Sequence, residues 1–596
     1  MSINNLNNIL FEKISSYGSR PFLEFSNRKY SFDEVNRLSH NMAAYLQRLG
    51  VRKNDLIGLY LERSENVLIA ILGVLKIGAA FLPLDSDYPI SRIRYIIHDS
   101  KINMLMTDKN LADRLADMNI KVVPINDNAS FGAYQNIELN EEKIDDEGTA
   151  YVIYTSGSTG NPKGVTIRRN SLANLICSVQ KRMNLCEMDL FMSITTICFD
   201  ISIMELLLPV YVGCRLRISE NHLSKDGKKL AAELEMHNVT VMQATPSLWM
   251  MLVEAGWKGS DIFTVICGGE ALSNKLAEEL VERSNCLWNM YGPTETCIWS
   301  MMKKMDKSDM IVSLGNALDN TYLYIIDEGQ LKNDIGDVGE LYIGGIGLSS
   351  GYYNHDELNT KAFIRNTYDN RCNIIYKTGD LVRINSNNMI EYIQRVDFQV
   401  KIRGFRVELG DIESSAEMID GVEKAVAVAN NTIGDNLALF YVGSENCSKE
   451  AVLRFLREKL PEYMIPSFVV KIDEFPMTNN LKVDRKQLSE MSLANIRNES
   501  YNTDNSEVSI IQSVLSEIWC DILNLDYVNS DENFLDLGGH SLLINRMTNR
   551  VNDEFGIELS ILDVIQHGMT IFELENMIES NLISLLNDDE LKELNT

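Results

Sequence analysis

The feature that most constrains the fold is an alternation of short β-rich runs with helix-like stretches from the start of the chain to about residue 490. A helix-like example is Asp226–His237. Such alternation predicts α/β layers with largely parallel strands. After about Gly336, hairpin-like segments appear, as in Gly339–Ile343 and Leu381–Ile393, and a mixed pattern returns from Asp397 to Arg485. The clearest strand-like runs are Val122–Ile125, Ala150–Tyr154, Leu216–Ile218, Val239–Met242 and Thr264–Ile266.

The last part of the chain differs in both pattern and charge. Apolar residues recur every fourth position in two stretches, and a third stretch, Ile571–Ile583, continues the pattern; the recurring residues are Val514, Ile518, Ile522, Leu543, Met547, Val551 and Phe555. From Val508 to Thr596 we count 17 acidic and 3 basic residues. Just upstream, Glu490–Glu507 is polar and rich in Asn and Ser, as expected of an exposed linker. The sequence therefore predicts a separate, acidic, all-α bundle.

Charge and composition exclude several classes of protein. The 596 residues include 56 Lys and Arg against 84 Asp and Glu, a formal charge of −28, which argues against nucleic acid or an anionic membrane as a partner. Apolar runs such as Met204–Val212 are too short to span a membrane, and the N-terminus lacks the pattern of a signal peptide. The 10 cysteines are scattered, as in reduced proteins. We therefore expect a cytoplasmic, multidomain enzyme or assembly factor.

The strongest local motif is Tyr154–Gly164, YTSGSTGNPKG, which follows a strand-like run. Glycines permit the backbone angles with which N–H groups surround phosphate oxygens, and a lysine supplies positive charge. The spacing differs from that of a Walker A loop. On composition alone, a flexible hydroxyl-rich turn is the alternative.

The whole string closely resembles the phosphate-binding loop of adenylate-forming enzymes, and other signatures of that family follow in order. The resemblance is to adenylation domains of nonribosomal peptide synthetases, and it covers about Tyr30 to Arg485. It implies a large α/β N-terminal core followed by a small, mobile α+β subdomain. The other matching segments are Leu75–Asp85, Asn289–Thr296, Tyr376–Leu381, Asp397–Gly404, Leu460–Pro466 and Asn480–Arg485.

The resemblance implies a role for each residue at the nucleotide site. Glu295 is similar to the family's Mg²⁺ ligand, Asp380 would accept bonds from both ribose hydroxyls, and Lys482 would bridge the substrate carboxylate and the α-phosphate. Individually, such residues also occur as helix-start or turn carboxylates and as solvated lysines. The implied catalytic residues are Thr155, Ser156, Lys163, Glu295 and Lys482. The implied ATP and AMP contacts are Gly268, Gly269, Asn289, Tyr291 (stacked on adenine), Thr294, Asp380, Tyr392 and Arg395.

Two positions depart from the family pattern. The family usually has glycine where this chain has Leu481 and Gln394. Both positions flank predicted catalytic loops, next to Lys482 and Arg395. The departures therefore leave open a scaffold that binds nucleotide without turnover.

An apolar segment around Asp200 marks the predicted amino-acid pocket. A buried carboxylate needs a cation or a capping role, and Asp200 could simply cap a helix Ile201–Leu208. By resemblance, it binds the α-ammonium group of an amino acid. Bulky side chains would fill the rest of the space, which favours glycine, with alanine next. The predicted lining residues are Asp200, Ile201, Met204, Gln243, Ile266, Gly268, Met290, Ile298, Trp299 and Lys482.

Near the C-terminus, Asn533–Leu542 resembles the attachment motif of a peptidyl carrier domain. Ser541 would begin the helix Leu542–Phe555, where it would carry a covalent 4′-phosphopantetheine. On residue type alone, Ser541 is equally typical of a helix N-cap.

Taken together, the motifs predict five segments: an adenylation core at 1–396, a mobile subdomain at 397–489 with its hinge at Asp397, a linker at 490–507, a carrier domain at 508–584 and an acidic tail at 585–596. The chain would use ATP and Mg²⁺ to form an aminoacyl-AMP and load it on the phosphopantetheine of its own carrier. A free-standing ligase that serves a separate acceptor is the rival enzyme. The implied partners are a phosphopantetheinyl transferase and a downstream condensation or other synthetase domain; the need for a small MbtH-like accessory protein is open.

Overall fold

The computed structural model describes most of the chain as a series of folded units. The described residues are 5–125, 137–139, 144–157, 161–307, 311–397, 399–402, 404–430, 436–444, 447–477, 483–498, 509–523, 525, 527–535, 537–539 and 541–585. Lys482 and Leu481, for which sequence analysis gave specific expectations, lie outside these ranges.

The described strands, in chain order, are β1 (Pro21–Phe25), β2 (Arg28–Ser31), β3 (Leu56–Tyr60), β4 (Ala80–Leu84), β5 (Met104–Asp108), β6 (Lys121–Ile125), β7 (Thr149–Thr155), β8 (Lys163–Arg168), β9 (Leu190–Ser193), β10 (Arg215–Ile218), β11 (Val241–Ala244), β12 (Ser260–Gly268), β13 (Ser284–Tyr291), β14 (Met301–Met305), β15 (Asn316–Ala317), β16 (Thr321–Asp327), β17 (Gln330–Lys332), β18 (Val338–Gly345), β19 (Phe363–Arg365), β20 (Ile374–Ile384), β21 (Ile390–Arg395), β22 (Gln399–Ile402), β23 (Phe405–Glu408), β24 (Val422–Asn430), β25 (Asn436–Gly443) and β26 (Phe468–Lys471).

The α-helices are α1 (Lys13–Ser16), α2 (Phe32–Arg48), α3 (Glu65–Lys76), α4 (Ile90–Ser100), α5 (Arg169–Met183), α6 (Ile201–Val212), α7 (Gly227–Met236), α8 (Pro246–Glu254), α9 (Asn274–Glu282), α10 (Asp356–Ala362), α11 (Leu409–Glu417), α12 (Lys449–Lys459), α13 (Arg485–Asn498), α14 (Ile510–Leu523), α15 (Ser541–Phe555), α16 (Ile561–His567) and α17 (Ile571–Leu585). Shorter helical turns lie at Asn8–Glu12, Ala112–Leu115, Asn221–Lys225, Thr294–Thr296 and Glu462–Met464.

Two large sheets build the core of the N-terminal region. The first has the strand order β15-β14-β13-β12-β11-β9-β10-β1-β2, and the second the order β6-β5-β3-β4-β7-β8. In the first sheet β1 and β9–β13 are parallel, with β2, β14 and β15 antiparallel at its edges. In the second only β8 is antiparallel. The predicted α/β architecture with largely parallel strands is confirmed.

Helices α3 and α6 lie where both sheets contribute to one apolar core. Nearly every residue of α3 is buried, as is α6 from Ile201 to Val210. A helix that is apolar on all sides needs cover on all sides, which two sheets provide. Helices α7–α9 cover the outer face of the first sheet, and α4 covers that of the second.

Helix α6 and strand β11 depart from their predicted bounds. Helix α6 continues past Leu208 to Val212, because Pro209 is tolerated within it and Gly213, with φ +81°, supplies the left-handed end. Strand β11 begins at Val241 rather than Val239, since the positive φ of Asn238 makes a turn there and the pairing with β12 begins at Val241.

Hairpins appear in the region after Gly336, as predicted. Strands β16–β21 form a third sheet in which β20 and β21 make the hairpin expected over Leu381–Ile393. Strands β22 and β23 then form a two-stranded hairpin, and β24–β26 a small mixed sheet packed with α11 and α12.

The C-terminal helices α14–α17 share one apolar core, which confirms the predicted all-α bundle. The predicted linker is helical in its first part, because α13 runs on to Asn498 after Leu488 and Met491 pack against β24–β26. The polar composition of this stretch misled the prediction, since one apolar stripe suffices to dock a helix. Residues 499–508 lie outside the described part.

Candidate active site

The predicted phosphate loop joins strands β7 and β8. Thr155 pairs with Lys163 across this hairpin, so the two ends of the loop are adjacent. A Cβ at Gly157 would lie 2.1 Å from the carbonyl oxygen of Asn161, so only glycine fits there. Thr155 Oγ1 is buried and, within the described residues, has no hydrogen-bond partner. An unpartnered buried hydroxyl at this point suits a phosphate oxygen. Ser158–Gly160 are outside the described ranges.

Lys163 is buried beside the loop. Its Nζ lies 3.3 Å from the Tyr352 hydroxyl and 4.3 Å from the centre of that ring. Burial, together with the charge of Arg406, lowers the pKa of Lys163 to about 8, against the opposing effect of Glu295. A positive charge is thus placed where a nucleotide phosphate would need one.

Glu295, the predicted Mg²⁺ ligand, is fully buried and is bound by protein groups. Arg406 Nη1 donates to both carboxylate oxygens, at 2.7 and 2.9 Å, and the Tyr352 hydroxyl donates to Oε1 at 2.7 Å. Burial alone would raise the pKa of Glu295, but Arg406 and Lys163 outweigh it and hold that pKa at about 2. An ionised oxygen ligand fits a hard cation such as Mg²⁺. In the described residues there is no cluster of three or more His, Cys, Asp or Glu that could hold a metal.

Arg406 is the functional residue that sequence analysis missed. It lies on β23, in the C-terminal subdomain, 111 residues after Glu295. Its carbonyl accepts a bond from Ser156 Oγ at 2.7 Å, and the Gly157 amide donates to Asp411 Oδ2 at 3.3 Å. The available signal was an arginine directly after the hinge motif, in Gly404-Phe405-Arg406. The subdomain therefore reaches the phosphate loop through its first hairpin and the start of α11.

The turn of that hairpin approaches the core closely. Gly404 has φ +84°, and a Cβ there would lie 2.4 Å from Thr245 Cγ2 and 3.3 Å from Phe199. Phe405 stacks on Tyr463, with ring centres 4.1 Å apart. Only glycine permits both the backbone angle and this approach.

A second cluster forms at the predicted ribose site. The Tyr291 hydroxyl donates to Asp380 Oδ2 at 2.5 Å, and Arg395 Nη1 donates to Asp380 Oδ1 at 3.0 Å. Arg395 also binds both oxygens of Asp397, at 2.7 and 2.6 Å. The ribose residue and the hinge residue thus share one guanidinium. Tyr392 lies beside them, and burial raises its pKa to about 12. Stacking of Tyr291 on adenine stays a prediction.

The surroundings of Asn289, a predicted nucleotide contact, and of Gln394, a departure from the family pattern, are well defined. Asn289, buried on β13, donates from its amide nitrogen to the carbonyl of Ser313 at 2.9 Å. Gln394 is exposed on β21 opposite Leu381, where the pairing of β20 with β21 shifts register, and an exposed side chain accommodates the departure from glycine.

Asp200 lies buried at the start of α6. Its backbone is already helical, and its side chain makes no capping hydrogen bond, so the capping alternative is wrong. Burial raises the pKa of Asp200 to about 6, although the nearby Thr294 hydroxyl and the charge of Lys401 oppose this. A carboxylate in such a place favours a cationic partner.

The other lining residues meet at the carboxyl ends of adjacent parallel strands. Gln243 pairs with Ile266 across β11 and β12, and Gly268 pairs with Met290 across β12 and β13. Trp299 Nε1 donates to Gln243 Oε1 at 3.1 Å. A Cβ at Gly268 would lie 2.6 Å from Trp299 Cη2. The indole therefore lies against the glycine, within the predicted amino-acid pocket. All described lining residues are buried: Asp200, Ile201, Met204, Gln243, Ile266, Gly268, Met290, Ile298 and Trp299.

The predicted attachment residue, Ser541, is the first residue of α15. Gly538, with φ +93°, makes the turn before it, and a Cβ there would lie 2.2 Å from the ring of Phe468 in the C-terminal subdomain. Helix α15 also meets the core. Asn545 Nδ2 donates to the carbonyl of Lys225 at 2.5 Å, and Asp553 pairs with Lys228 at 2.7 Å.

Comparison with known proteins decides the family. The family model described as AMP-binding enzyme matches residues 10–353, more than half of the chain, and the model for a phosphopantetheine attachment site matches residues 513–578. The chain belongs to the AMP-binding enzyme family. The matches confirm the predicted adenylation–carrier organisation and enzyme class, with ATP as nucleotide, Mg²⁺ as its usual cation and phosphopantetheine as prosthetic group.

Curated relatives of this AMP-binding protein are nonribosomal peptide synthetases. It is 35% identical over 540 residues to a dimodular nonribosomal peptide synthase of Bacillus subtilis, covering 89% of this chain and 22% of the relative. It is 30% identical over 570 residues to tyrocidine synthase 1 of Brevibacillus parabrevis, covering 94% of this chain and 52% of the relative. The chain thus spans about half or less of these relatives.

Solved structures of similar proteins have the same fold as this chain. A holo four-domain nonribosomal peptide synthetase bound to AMP and glycine is 34% identical, with a TM-score of 0.61 over 97% of this chain and 43% of that one. A two-domain adenylation–carrier protein bound to a vinylsulfonamide inhibitor is 19% identical, with a TM-score of 0.82 over 97% of both chains, which shows a shared fold. Among the described helices of this protein, none is long and apolar enough to cross a membrane.

Proposed function

We propose that this chain activates glycine with ATP, giving glycyl-AMP and pyrophosphate, and then transfers the glycyl group to the phosphopantetheine of its own carrier domain. Alanine is the next candidate. The observation that carries the proposal is the Trp299 indole, held by Gln243 against Gly268 in the same pocket as the buried carboxylate of Asp200. An ammonium group would satisfy Asp200, and the indole leaves little space beyond the α-carbon. The glycine in the 34% identical structure supports the same choice.

In the first half-reaction, the substrate carboxylate attacks the α-phosphorus and pyrophosphate leaves. In this proposal Thr155 and Lys163 bind the phosphates, which is supported by the unpartnered hydroxyl of Thr155 among the described residues and by the buried positive charge of Lys163. Asp380 and Arg395 would hold the ribose, and Lys482 would supply a further cation. Glu295 would hold Mg²⁺, which shields the negative charge of the phosphates when it is bound.

The described arrangement supports the second half-reaction. Arg406 occupies both oxygens of Glu295, so that carboxylate is not free to hold a cation while the pair persists. Ser156 and Gly157 are meanwhile bonded to the C-terminal subdomain. When attached to Ser541, phosphopantetheine would supply the thiol that accepts the glycyl group from glycyl-AMP, and AMP would be the leaving group. We infer that the subdomain turns about Asp397 between the two half-reactions.

The proposed partners follow from the carrier domain. A phosphopantetheinyl transferase must modify Ser541, and a condensation or other synthetase domain must receive the glycyl group, for nonribosomal peptide or related synthesis. A cytoplasmic location and an accessory protein stay predictions.

The deciding experiment is ATP–pyrophosphate exchange across all twenty amino acids, followed by intact mass analysis of the modified protein supplied with ATP and the best substrate. We expect glycine-dependent exchange and a mass increase equal to one glycyl group. Exchange with none of the amino acids would favour the non-catalytic scaffold. Exchange without a mass increase on the carrier would favour the free-standing ligase.

We expect Trp299→Ala to admit larger amino acids, because it removes the indole that fills the space above Gly268. The kcat/KM ratio of alanine to glycine in exchange should rise by roughly 10-fold or more. Trp257→Ala is the matched control, since it removes an indole that is buried elsewhere, against Trp249 and Phe263. An unchanged kcat/KM ratio in Trp299→Ala would show that Trp299 does not line the amino-acid pocket.

We expect Arg406→Ala to separate the half-reactions. The variant loses the cation that occupies Glu295 in the described arrangement, so transfer to the carrier should slow by roughly 10- to 100-fold while exchange changes less. Single-turnover loading and exchange are measured on the same preparation. Arg94→Ala, which breaks an exposed pair with Asp117, is the control. Equal losses in both assays would contradict the assignment.

A further inference from the structure

Glu205 is a fully buried carboxylate on α6 that the proposed reaction does not use directly. Its Oε2 accepts from Ser193 Oγ at 3.0 Å and from the amides of Ile194 and Thr195 at 3.0 and 3.1 Å. Its Oε1 accepts from Thr195 Oγ1 at 2.5 Å and from Gln243 Nε2 at 3.2 Å. With donors on every side, the site is built for a group that only accepts hydrogen bonds, which is an ionised carboxylate.

A half-buried arginine, Arg63, lies close enough to offset part of this negative charge. Arg63 Nη2 donates to the carbonyl of Ile194 at 2.8 Å and Nη1 to that of Ser193 at 3.3 Å, on the segment that binds Glu205. Burial raises the pKa of Glu205 above its ordinary value, and the bonds from Thr195 and the charge of Arg63 oppose that rise. These hydrogen bonds and the nearby Arg63 guanidinium therefore hold the Glu205 carboxylate in place.

Glu205 fixes which way the Gln243 amide points. Gln243 Nε2 donates to Glu205 and, at 2.9 Å, to the carbonyl of Ile201, so both acceptors lie on the α6 side. Gln243 Oε1 must then point the other way, where it accepts from Trp299 Nε1 at 3.1 Å. A flipped amide would set its nitrogen against the indole N–H, two donors facing each other.

The backbone before Trp299 is unusual. Cys297 and Ile298 have φ angles of +64° and +68°, a left-handed pair without glycine, and Ile298 is β-branched. Such strain persists only where the surroundings over-determine the conformation. Hydrogen bonds on either side of this pair fix its conformation. The Ser300 amide donates to the Tyr291 carbonyl at 2.8 Å, and the Thr296 and Ser300 hydroxyls are 2.6 Å apart.

We propose that Glu205 is a positioning residue for substrate size: through Gln243 it holds the Trp299 indole across the amino-acid pocket. The inference rests on the proposed function, because it concerns how that pocket excludes a side chain. Selectivity against one extra methyl group then depends on the rigidity of the wall as well as on its bulk. Once the chain of bonds from Glu205 to Trp299 is broken, the indole can move aside.

The test is Glu205→Gln, which keeps the shape but introduces a donor where donors already converge. We expect the alanine-to-glycine ratio of kcat/KM in exchange to rise about 10-fold. The loss for glycine should lie in KM more than in kcat, because the reacting groups are untouched. Glu391→Gln is the matched control, since Glu391 is a buried carboxylate bonded to Arg383 and Asn385 in the third sheet. The alanine-to-glycine ratio of kcat/KM in this control should equal that of the protein without the substitution.

Two further variants keep the test decisive if Glu205→Gln folds poorly. Thr195→Val removes one donor to Glu205 with little change in shape, and should shift the ratio in the same direction by a smaller factor. Adding Glu205→Gln to Trp299→Ala should leave the ratio of the single Trp299→Ala variant unchanged, because the indole through which Glu205 acts is gone.

The outcomes separate this inference from the proposed function. If the unmodified protein prefers a large amino acid, both are overturned. If it prefers glycine and Trp299→Ala shifts the ratio, but neither Glu205→Gln nor Thr195→Val does, the inference alone is overturned.

Discussion

Ser541→Ala is expected to abolish covalent loading, while the rate of ATP–pyrophosphate exchange stays within about 2-fold of that of the protein without the substitution. The reason is chemical: alanine has no hydroxyl to carry the prosthetic group, whereas the residues around Asp200 and Glu295 are untouched. Intact mass before and after treatment with a phosphopantetheinyl transferase, and again after ATP and glycine, measures the effect. Exchange measured in parallel shows that the variant is folded.

Ser580→Ala is the control for that result. Ser580 lies on α17 of the same bundle, where, among the described residues, its hydroxyl donates to the carbonyl of Asn576. This variant should be modified and loaded normally. A glycyl adduct that forms on Ser541→Ala would place the attachment site elsewhere.

Asp200→Asn is expected to lower kcat/KM for glycine in exchange by roughly 100- to 1,000-fold. The variant removes the charge of a buried partner for the substrate ammonium group, and breaking such a pair typically costs about 3–5 kcal/mol. Asparagine keeps the shape and can still bond to Thr294. Asp337→Asn makes the same chemical change in a turn of the third sheet and should leave exchange unaltered.

The pH dependence gives an independent check on Asp200. Its pKa is raised by burial to about 6, with Lys401 lowering it and Glu295 raising it. At a pH above about 6 the Asp200 carboxylate is negatively charged in the empty site and attracts the substrate ammonium group. At a lower pH the Asp200 carboxyl group is neutral. The KM for glycine should therefore rise as the pH falls from 8 to 5. Asp200→Asn should have a high KM without this rise, and a rise of equal size in both proteins would assign the titration to another group.

Local patterns predicted most of the fold. The sheets, the two antiparallel hairpin regions and the carrier helices all follow from residue periodicity and turn residues, which act within a few positions of each other. The errors lie at ends of elements, where tertiary packing decides, as in α6 beyond Pro209 and in α13 beyond Leu488.

The candidate site was predictable where a motif names its residues, as at Asp200, Asp380 and Glu295. The partners of these residues were not, because they come from distant parts of the chain. Arg406 reaches Glu295 across 111 residues, and Glu205 reaches Gln243 across 38. Nothing in the spacing of a single sequence reports such pairs.

The contact between α15 and the core bears on how readily the carrier domain is released from the core. It includes an ion pair whose side chains are largely exposed, Lys228 with Asp553, and a bond from Asn545 to a backbone oxygen. Exposed pairs of this kind contribute little, typically about 0–1 kcal/mol. If the carrier is loaded as proposed, so weak a contact would let it leave the core readily, and its release from the core would not limit delivery to the next domain.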